Sequence, residues 1–525
     1  MAHYVPNTDT ITTGKLRHGS PSRDSQHPRY ASCPRISMSY QLSNTRPTGN
    51  RSRSALVHIL DDDSLLIIFS FCRPVILDEN EADVVQIMGG GEWNRERWWH
   101  RLIQVCRRWR YLVLESAFHL QVSLVCARGT PVADMMAHSP PVPLIIDHFD
   151  ERQDLTAEDE EGIRFALQHR ARVRRIRLMK PVSTLEKLVK ALDGEFPVLE
   201  FLFIQHQRYH RPVIEYETNL ELPETFRAPN LRQLVLKNFS TPIESPSFKT
   251  MGHLVSLTLG KIPSSAYFHP DALLQWLSLL PQLETLWIGF NFSRVVEDQL
   301  LLLTPSTTRV TLPNLHWFGF RGSSIYLEAL LPCVTMPLLD KLHIYLFNRM
   351  IYSIPHLQQL TSSARNLRLK AATFTFHSDC LDVKAYSYKG ARLCTLSMEL
   401  GCRHLDWQVV SAAQVFRALR TIFSAVEHLD IEYRRPFISS EWNDEADRTG
   451  WREFFGSFGK VKTLFVDGEL VGQLSRALRP GEEESSTELL PELRALSSSA
   501  KASLLDAFRP FVDARQKAGR PVTII

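Results

Sequence analysis

The chain has 525 residues, 44% of them hydrophobic and 22% charged, which is typical of folded water-soluble proteins and too long for one ordinary core. Its 61 basic and 57 acidic residues give a formal net charge of +4, which by itself argues neither for nor against nucleic acid as a partner, and nucleic acid is not an expected partner. No apolar run reaches the roughly 18 residues of a membrane helix, and the eight cysteines include no Cys-x-x-Cys pair. These features predict a cytoplasmic or nuclear protein without a membrane span or a disulfide framework.

Residues 1–54 form the first distinct segment, because they are rich in Ser, Thr, Pro, Asn and Arg and their only acids are Asp9 and Asp24. They lack an apolar run that could offset a backbone ordering entropy of roughly 1–2 kcal/mol per residue. The segment is therefore predicted to be a disordered basic tail. A transit peptide is the alternative, although no amphipathic helix is visible.

A helical segment is predicted over residues 55–125. Three aspartates precede the apolar run LLIIF, and acids at a helix start accept otherwise unpaired amide protons. This pattern predicts a helix from about Asp62 to Cys72, which Pro74 ends. Acids and three consecutive glycines then predict an inserted loop at about 78–95.

A second helix is predicted in RWWHRLIQVCRRWRYLVLES, where apolar residues recur at steps of three and four. This stripe consists of Trp98, Leu102, Val105, Trp109 and Leu112. Two or three short helices of this size bury too little apolar surface to be stable alone. The segment is therefore expected to complete its core against a partner or a larger domain.

Leu60-Asp61, the run LLIIF and the later VCRRW are the motifs of this helical segment. Together they resemble the F-box, in particular that of F-box proteins of mushroom-forming fungi, although Asp61 stands where the family has Pro. In that family the segment docks on a Skp-type adaptor, which links it to a cullin ubiquitin ligase. The resemblance implies adaptor contacts by Leu60, Leu65, Leu66, Ile68, Phe69, Val105, Cys106 and Trp109. The alternative is an ordinary helical hairpin that caps the rest of the chain.

Residues 140–525 repeat one phrase, Leu-x-x-Leu-x-Leu, often after a Pro. The clearest copies begin at Leu199, Leu231, Leu254, Leu283, Leu315, Leu339, Leu393, Val426 and Val461. Weaker copies begin at Val173, around Leu367 and Leu369, and in LPELRAL. The last two apolar positions of a copy lie two residues apart, so both face one side of a short strand. Helix-like stretches such as STLEKLVKALDG and LVGQLSRAL fill the intervals.

Such strand–helix units must stack, because one unit cannot bury its own apolar face. The pattern resembles the leucine-rich repeat, although the Asn or Cys that the family places three residues after the last Leu is not sustained, as Phe239 shows. The predicted fold is therefore α/β: a short all-helical F-box-like segment, then an irregular leucine-rich repeat solenoid of alternating strands and helices. A final helix, a turn at Gly519 and a closing strand are expected to cap the array.

The sequence contains no phosphate-binding Gly-rich loop, GxSxG or HExxH motif, so no enzyme activity, cofactor or metal site is predicted. His206 and His210 are expected in a solvated loop rather than at a metal. For the loose cluster of Cys394, Cys402 and His404, core packing is the favoured interpretation. The basic run RARVRRIRLMK either binds phosphates or an acidic protein surface, or is a repeat strand with a solvated side.

Aromatic residues in or just after the repeat strands are the predicted target-binding residues. Solenoid sheets commonly bind partners, and Trp and Tyr dominate binding hot spots. The alternative is that these side chains pack between neighbouring units. The candidates are Trp287, Phe290, His316, Trp317, Tyr345 and Phe347.

The predicted function is that of a non-catalytic substrate-recognition subunit of a Skp–cullin–F-box-type ubiquitin ligase. The F-box-like segment would bind the adaptor, and the repeats would hold a target protein that the sequence does not identify. One alternative is a leucine-rich repeat protein-interaction scaffold unrelated to ubiquitination. Another is an α/β enzyme, because strand–helix alternation also describes barrels.

Overall fold

The computed structural model describes residues 60–73, 98–149, 155–206, 220–240, 243–291, 307–347, 352–364, 366–391, 393–434, 448–479, 489–499 and 501–525. The predicted tail at 1–54 and the predicted loop at about 78–95 lie outside these ranges. Leu60–Ile525 forms one compact unit. Within the described ranges, none of the helices combines the length and the apolarity that crossing a bilayer requires.

The described ranges contain fifteen α-helices. They are α1 (Asp62–Phe71), α2 (Trp99–Ile103), α3 (Arg107–Glu115), α4 (Val132–Ala137), α5 (Ala157–Gln168), α6 (Val182–Lys190), α7 (Pro246–Lys249), α8 (Pro270–Leu277), α9 (Ser324–Leu330), α10 (Leu357–Ser363), α11 (Leu405–Ala418), α12 (Arg420–Phe423), α13 (Arg448–Phe455), α14 (Val471–Leu478) and α15 (Lys501–Lys517). Short 3-10 turns lie at Arg170–Arg172, Ser264–Ala266, Leu331–Cys333 and Gly468–Leu470.

The strands alternate with these helices along the chain. They are β1 (Leu124–Cys126), β2 (Leu144–His148), β3 (Val173–Lys180), β4 (Phe201–His206), β5 (Gln233–Lys237), β6 (Ser256–Ile262), β7 (Thr285–Phe290), β8 (Val310–Thr311), β9 (Trp317–Gly322), β10 (Val334–Thr335), β11 (Lys341–Leu346), β12 (Ala371–Phe376), β13 (Leu381–Tyr386), β14 (Leu396–Leu400), β15 (His428–Tyr433), β16 (Thr463–Val466), β17 (Ala495–Ser498) and β18 (Thr523–Ile524). The α/β class is therefore confirmed.

Sixteen of the strands form one sheet in the order β1-β2-β3-β4-β5-β6-β7-β9-β11-β14-β13-β12-β15-β16-β17-β18, while β8 and β10 pair separately. The order runs from one edge strand to another, so the described strands do not close into a barrel. Leu202, Leu234 and Leu257 are direct partners in the register of β4, β5 and β6. These three side chains are fully buried. The predicted Leu-x-Leu strands therefore lie side by side on one core.

A repeated backbone contact joins each unit to the next. The carbonyl of Glu200 accepts hydrogen bonds from the N–H groups of Arg232 and Gln233 at 2.9 and 3.0 Å. One repeat further on, the carbonyl of Arg232 accepts bonds from Val255 and Ser256 at 2.8 and 2.9 Å. The same double contact recurs at the carbonyls of Val255, Glu284, His316, Lys370, Glu427 and Lys462. Because this contact uses only main-chain atoms, it aligns the strands even though the Asn or Cys that a regular leucine-rich repeat would have is not sustained.

One hairpin interrupts the otherwise parallel sheet. Strand β13 runs antiparallel to both β12 and β14, and β12 pairs in parallel with β15. Strand β13 was not predicted, whereas the weak copy predicted around Leu367 and Leu369 leads into β12. Register partners show that Ala372 lies opposite Leu429 and Phe374 opposite Ile431. The inward positions are therefore Ala372 and Phe374.

The predicted second helix is wrong in one respect, because it is divided into α2 and α3. Cys106 has an extended conformation with φ −157° and ψ 172°, and its Sγ accepts a hydrogen bond from the N–H of Trp109 at 3.5 Å. A side-chain acceptor at this position caps a new helix start rather than continuing the previous helix. Val105 consequently lies in an exposed turn instead of on a continuous apolar stripe.

The two ends of the sheet are covered differently. At the C-terminal end, α15, Gly519 with φ 74° and strand β18 confirm the predicted cap. At the other end, the sequence analysis missed β1 as a strand. The indole N–H of Trp99 donates to the carbonyl of Ser123 at 3.2 Å, next to β1. The helical segment therefore packs against the first strand of the sheet.

Phe374→Ala is expected to lower the free energy of unfolding by about 3–5 kcal/mol, because it removes a fully buried ring. The ring centroid of Phe374 lies 4.9 Å from those of both Phe416 and Phe454. Urea unfolding followed by circular dichroism measures the change. Thr373→Ala, which alters the adjacent outward position, is the matched control, and equal losses in the two variants would contradict the assigned register.

Candidate functional site

Helix α1 is held against α3 by one aromatic contact and one ion pair. The rings of Phe69 and Trp109 meet edge to face with centroids 4.7 Å apart. The guanidinium of Arg108 lies 2.6 Å from the carboxylate of Asp62 and also donates to the carbonyl of Leu60 at 2.6 Å. These contacts fix which side of α1 faces the protein.

Asp61, which stands in place of the family's Pro, is the N-cap of α1. Its carboxylate accepts a hydrogen bond from the N–H of Ser64 at 2.6 Å. This bond holds the pKa of the Asp61 carboxyl below its usual range. The substitution therefore preserves the helix start by a different device from a proline.

The predicted adaptor-binding residues fall on two sides of this helical segment. Leu65 and Phe69 are 1% and 0% exposed, so the prediction that they lie on the docking surface is wrong. Their spacing of four residues places both on the inner side of α1. Exposed members of the predicted set are Leu60, Ile68 and Val105. The half-buried members are Leu66, Cys106 and Trp109.

The outer face of α1, defined here as Ile67, Ile68 and Phe71, is apolar and uncovered. Ile67 is 57% exposed and Phe71 is 83% exposed. Sequence reasoning missed both, although Phe71 lies four residues after Ile67 and three after Ile68, spacings that place these side chains on one side of a helix. Tyr111 and Phe118, near α3, are also exposed. An apolar helix face of this kind is typical of a surface that binds another protein.

The second candidate surface lies on the outward side of the sheet and is called the aromatic platform. It consists of Trp287 on β7, Trp317 on β9 and Tyr345 on β11, all partly exposed. The two indole rings are nearly parallel, at 17°, with centroids 5.7 Å apart. Tyr345 meets Trp287 edge to face, also at 5.7 Å. The structure therefore brings three of the six predicted target-binding residues together.

The other three predicted target-binding residues are arranged differently. Phe290 is 1% exposed and packs against Tyr267 and Phe320, so its prediction as a recognition residue is wrong. It occupies a buried position at the end of β7. His316 is exposed immediately before β9. Phe347 is half-buried just after β11, with the guanidinium of Arg321 5.9 Å from its ring centroid.

Glu399 on β14 is a further residue of this surface that sequence reasoning missed. Its register partner on β11 is Tyr345, and its partner on β13 is Asp382. Burial raises the pKa of the Glu399 carboxyl; Arg321 opposes the increase and Asp382 adds to it. Lys384 bonds Asp382 at 2.9 Å rather than Glu399. The signal was its outward strand position, between the inward residues Met398 and Leu400.

The basic run RARVRRIRLMK is engaged within the chain. Arg177 is buried, 3.7 Å from the carboxylate of Asp147, with its guanidinium 4.6 Å from the ring centroid of Phe149. Arg174 lies 2.9 Å from the carboxylate of Glu200. The run forms strand β3, as the repeat-strand alternative predicts, with Arg174 and Arg175 partly exposed, whereas Arg177 is buried rather than solvated.

The loose cysteine–histidine cluster does not assemble into a metal site in the described ranges, which contain no group of three His, Cys, Asp or Glu side chains suited to a metal. Burial raises the pKa of the Cys394 thiol to about 11 and that of Cys402 to about 12. Both thiols donate to backbone carbonyls. His206 ends β4, and His210 lies outside the described residues.

No protein-family model matches the chain, and a search of curated proteins finds no match. The functional interpretation therefore depends on the chemistry of the outer face of α1 and of the aromatic platform.

Glu399→Gln is expected to raise the urea midpoint at neutral pH. The folded-state pKa of Glu399 is raised, so folding disfavours the charged carboxylate, and the variant removes that penalty. The gain in stability of the variant over the parent protein should shrink as the pH falls through the raised pKa of the folded state. It should vanish below the pKa of the unfolded state, which is about 4.3. Urea unfolding of both proteins across this pH range measures the difference.

Glu427→Gln is the matched control with the opposite sign. Hydrogen bonds from Lys370 and Lys462, at 2.6 and 2.7 Å, lower the pKa of Glu427 to about 2. The stability from this carboxylate is present above its unfolded pKa of about 4.3 and is lost as the pH falls towards 2. Glu427→Gln should therefore be less stable than the parent protein at neutral pH. If Glu399→Gln were also less stable than the parent protein, folding would not disfavour the charged form of Glu399.

Proposed function

We propose that the chain is the substrate-recognition subunit of a Skp–cullin–F-box-type ubiquitin ligase. The observation that carries the proposal is the uncovered apolar outer face of α1, on a segment whose motifs resemble the F-box. Folded proteins rarely expose a contiguous apolar surface unless it binds a partner. The Skp-type adaptor is the partner that the resemblance implies.

The packing of α1 supports this assignment. Phe69 and Asp62 hold the helix against Trp109 and Arg108, so the outer face is presented by a fixed element. A surface that is already ordered loses less conformational entropy on binding than a mobile one. The adaptor would then cover Ile67, Ile68 and Phe71, with Leu60 and Val105 at the margin.

The remainder of the chain is proposed to be an irregular leucine-rich repeat solenoid that captures a target protein. Chain-order pairing of most strands and the recurring two-donor contact at one carbonyl support repeated units. The β12–β14 hairpin and the unequal repeat spacing support the irregularity. The aromatic platform lies on the sheet and is the proposed target-binding surface.

The proposed chemistry is proximity without a catalytic residue in this chain. One protein that binds an adaptor at one surface and a target at another raises the effective concentration of the target near the ubiquitin-carrying enzyme. The second candidate function is a repeat scaffold unrelated to ubiquitination. The aspartate N-cap in place of the family's Pro favours this alternative, because the helix then starts with different surface chemistry.

Co-expression of the full chain with a Skp-type adaptor, followed by size-exclusion chromatography, tests the proposal. The two proteins should co-elute, and an Ile67→Asp, Phe71→Asp double variant should lose at least about 30-fold in affinity, because both side chains become charged in a buried interface.

Tyr388→Asp is the matched control, because Tyr388 is 63% exposed and lies after β13. It should co-elute like the parent protein. A well-folded parent chain that does not bind the adaptor would overturn the ligase proposal and leave the repeat scaffold as the function.

A further inference from the structure

The aromatic platform is built on two glycines within strands. A Cβ atom at Gly319 would overlap the six-membered ring of Trp287, and one at Gly289 would lie 3.0 Å from the indole Nε1. Trp287 therefore lies flat across the backbone of β7 and β9. Any other residue at 319 would lift the indole from the sheet.

Glycine inside a strand is unfavourable, because it loses more conformational entropy on folding and contributes no side chain to packing. Such a position often marks a place where a ring or a ligand approaches the backbone closely. Here the two glycines hold one indole nearly parallel to a second, Trp317. The result is a preformed aromatic surface. At its edge, Tyr345 is the register partner of Glu399.

Charge on the same sheet face distinguishes the two sides of the platform. On the β12–β15 side, Asp382 on β13, Asp430 on β15 and Glu432 on β15 occupy outward positions beyond Glu399. Lys384 pairs with Asp382 at 2.9 Å, and Arg434 lies 3.9 Å from Glu432. Burial raises the pKa of Asp430, Lys389 opposes the increase and Glu432 adds to it. Arg321, the register partner of Tyr345, has its guanidinium 5.9 Å from the ring centroid of Phe347. Glu399 and Asp430 are therefore the carboxylates of this side that would attract a cation.

The opposite side carries cations that are already engaged with rings. The guanidinium of Arg175 lies 5.0 Å from the ring centroid of Phe201, and the ammonium of Lys237 lies 5.7 Å from that of Phe203. Burial, with Lys261 nearby, lowers the pKa of Lys237 to about 8. Electrostatic complementarity therefore favours a positively charged occupant on the platform and its carboxylate side.

We propose that the aromatic platform binds a lysine or arginine side chain from an extended basic segment of the target protein. The cation would lie against the indole faces of Trp287 and Trp317, and Glu399 would be its counter-ion. Further basic residues of the segment would extend towards Asp430. This inference rests on the proposed target-binding function and specifies the chemistry of the target.

The test uses the full chain and three fluorescein-labelled dodecapeptides, in which glycine alternates with lysine, arginine or glutamate. Fluorescence anisotropy should show binding of the lysine and arginine peptides and no binding of the glutamate peptide. Trp287→Leu and Glu399→Gln should each weaken binding by about 5- to 30-fold, as expected for loss of a cation–π contact or a counter-ion worth about 1–2 kcal/mol.

Gly319→Ala is the most informative variant, because it keeps every charge and every aromatic residue while displacing Trp287. It should weaken binding as much as Trp287→Leu. Gly459→Ala, at a glycine whose added Cβ would meet no atom within 4 Å, is the matched control and should bind normally. Equal binding by the glutamate peptide, or unchanged binding by the Gly319 and Glu399 variants, would overturn the proposal.

Adaptor co-elution of the same proteins separates the two proposals. Variants at the platform should retain adaptor binding, which shows that they are folded. A chain that binds the adaptor but none of the basic peptides would overturn the assignment of the platform and leave the ligase function intact. A chain that binds the basic peptides but not the adaptor would overturn the ligase function and leave the assignment of the platform intact.

Discussion

The structure depends on one constraint: a single strand–helix unit cannot bury its own apolar face, so each unit must align with its neighbours. Two interactions provide that alignment. Inward residues such as Leu234 and Leu257 are register partners across the sheet, and one carbonyl before each of eight strands accepts two N–H groups from the neighbouring unit. The backbone contact does not depend on side-chain identity, so the outward residues of each strand are free to carry recognition chemistry.

The sheet has two edge strands, and both are short. The first edge strand has three residues and the last has two, which limits unwanted pairing with other chains. Leu65, Phe69 and Trp99 belong to the same buried cluster as the sheet. The short helices are therefore stabilised by the array on one side. Their remaining apolar side, formed by Ile67, Ile68 and Phe71, is exposed among the described residues.

Periodicity in the sequence predicted most of the strands, because two leucines spaced two residues apart face the same side of a strand. It missed several short strands, including β1, and also β13, whose alternating pattern LDVKAY lacks the leucine phrase of its neighbours. It also extended a helix through Cys106, because the periodic stripe contains no information on side-chain capping. These errors arise from local hydrogen bonding, which competes with the hydrophobic pattern.

The candidate surfaces were predicted only in outline. Their position in the repeat strand phrases identified Trp287 and Trp317, but the importance of Gly319 is visible only when the strand register places this glycine beneath the Trp287 ring. The sequence placed Phe290 with the same group, although it lies in the core. Leu65 and Phe69 were similarly grouped with exposed neighbours. A resemblance between sequence motifs identifies the residues of a helix, but it does not show which side of the helix each residue lies on.

Hydrogen–deuterium exchange of the full chain, with and without a Skp-type adaptor, would show whether the outer face of α1 binds the adaptor. We expect slower exchange in residues 62–73 and 105–118 when the adaptor is present, with unchanged exchange in the strands at 285–290 and 317–322, because the proposed adaptor site covers the outer face of α1 and leaves the sheet accessible. Unchanged exchange throughout, or protection confined to the sheet, would contradict the proposed adaptor site.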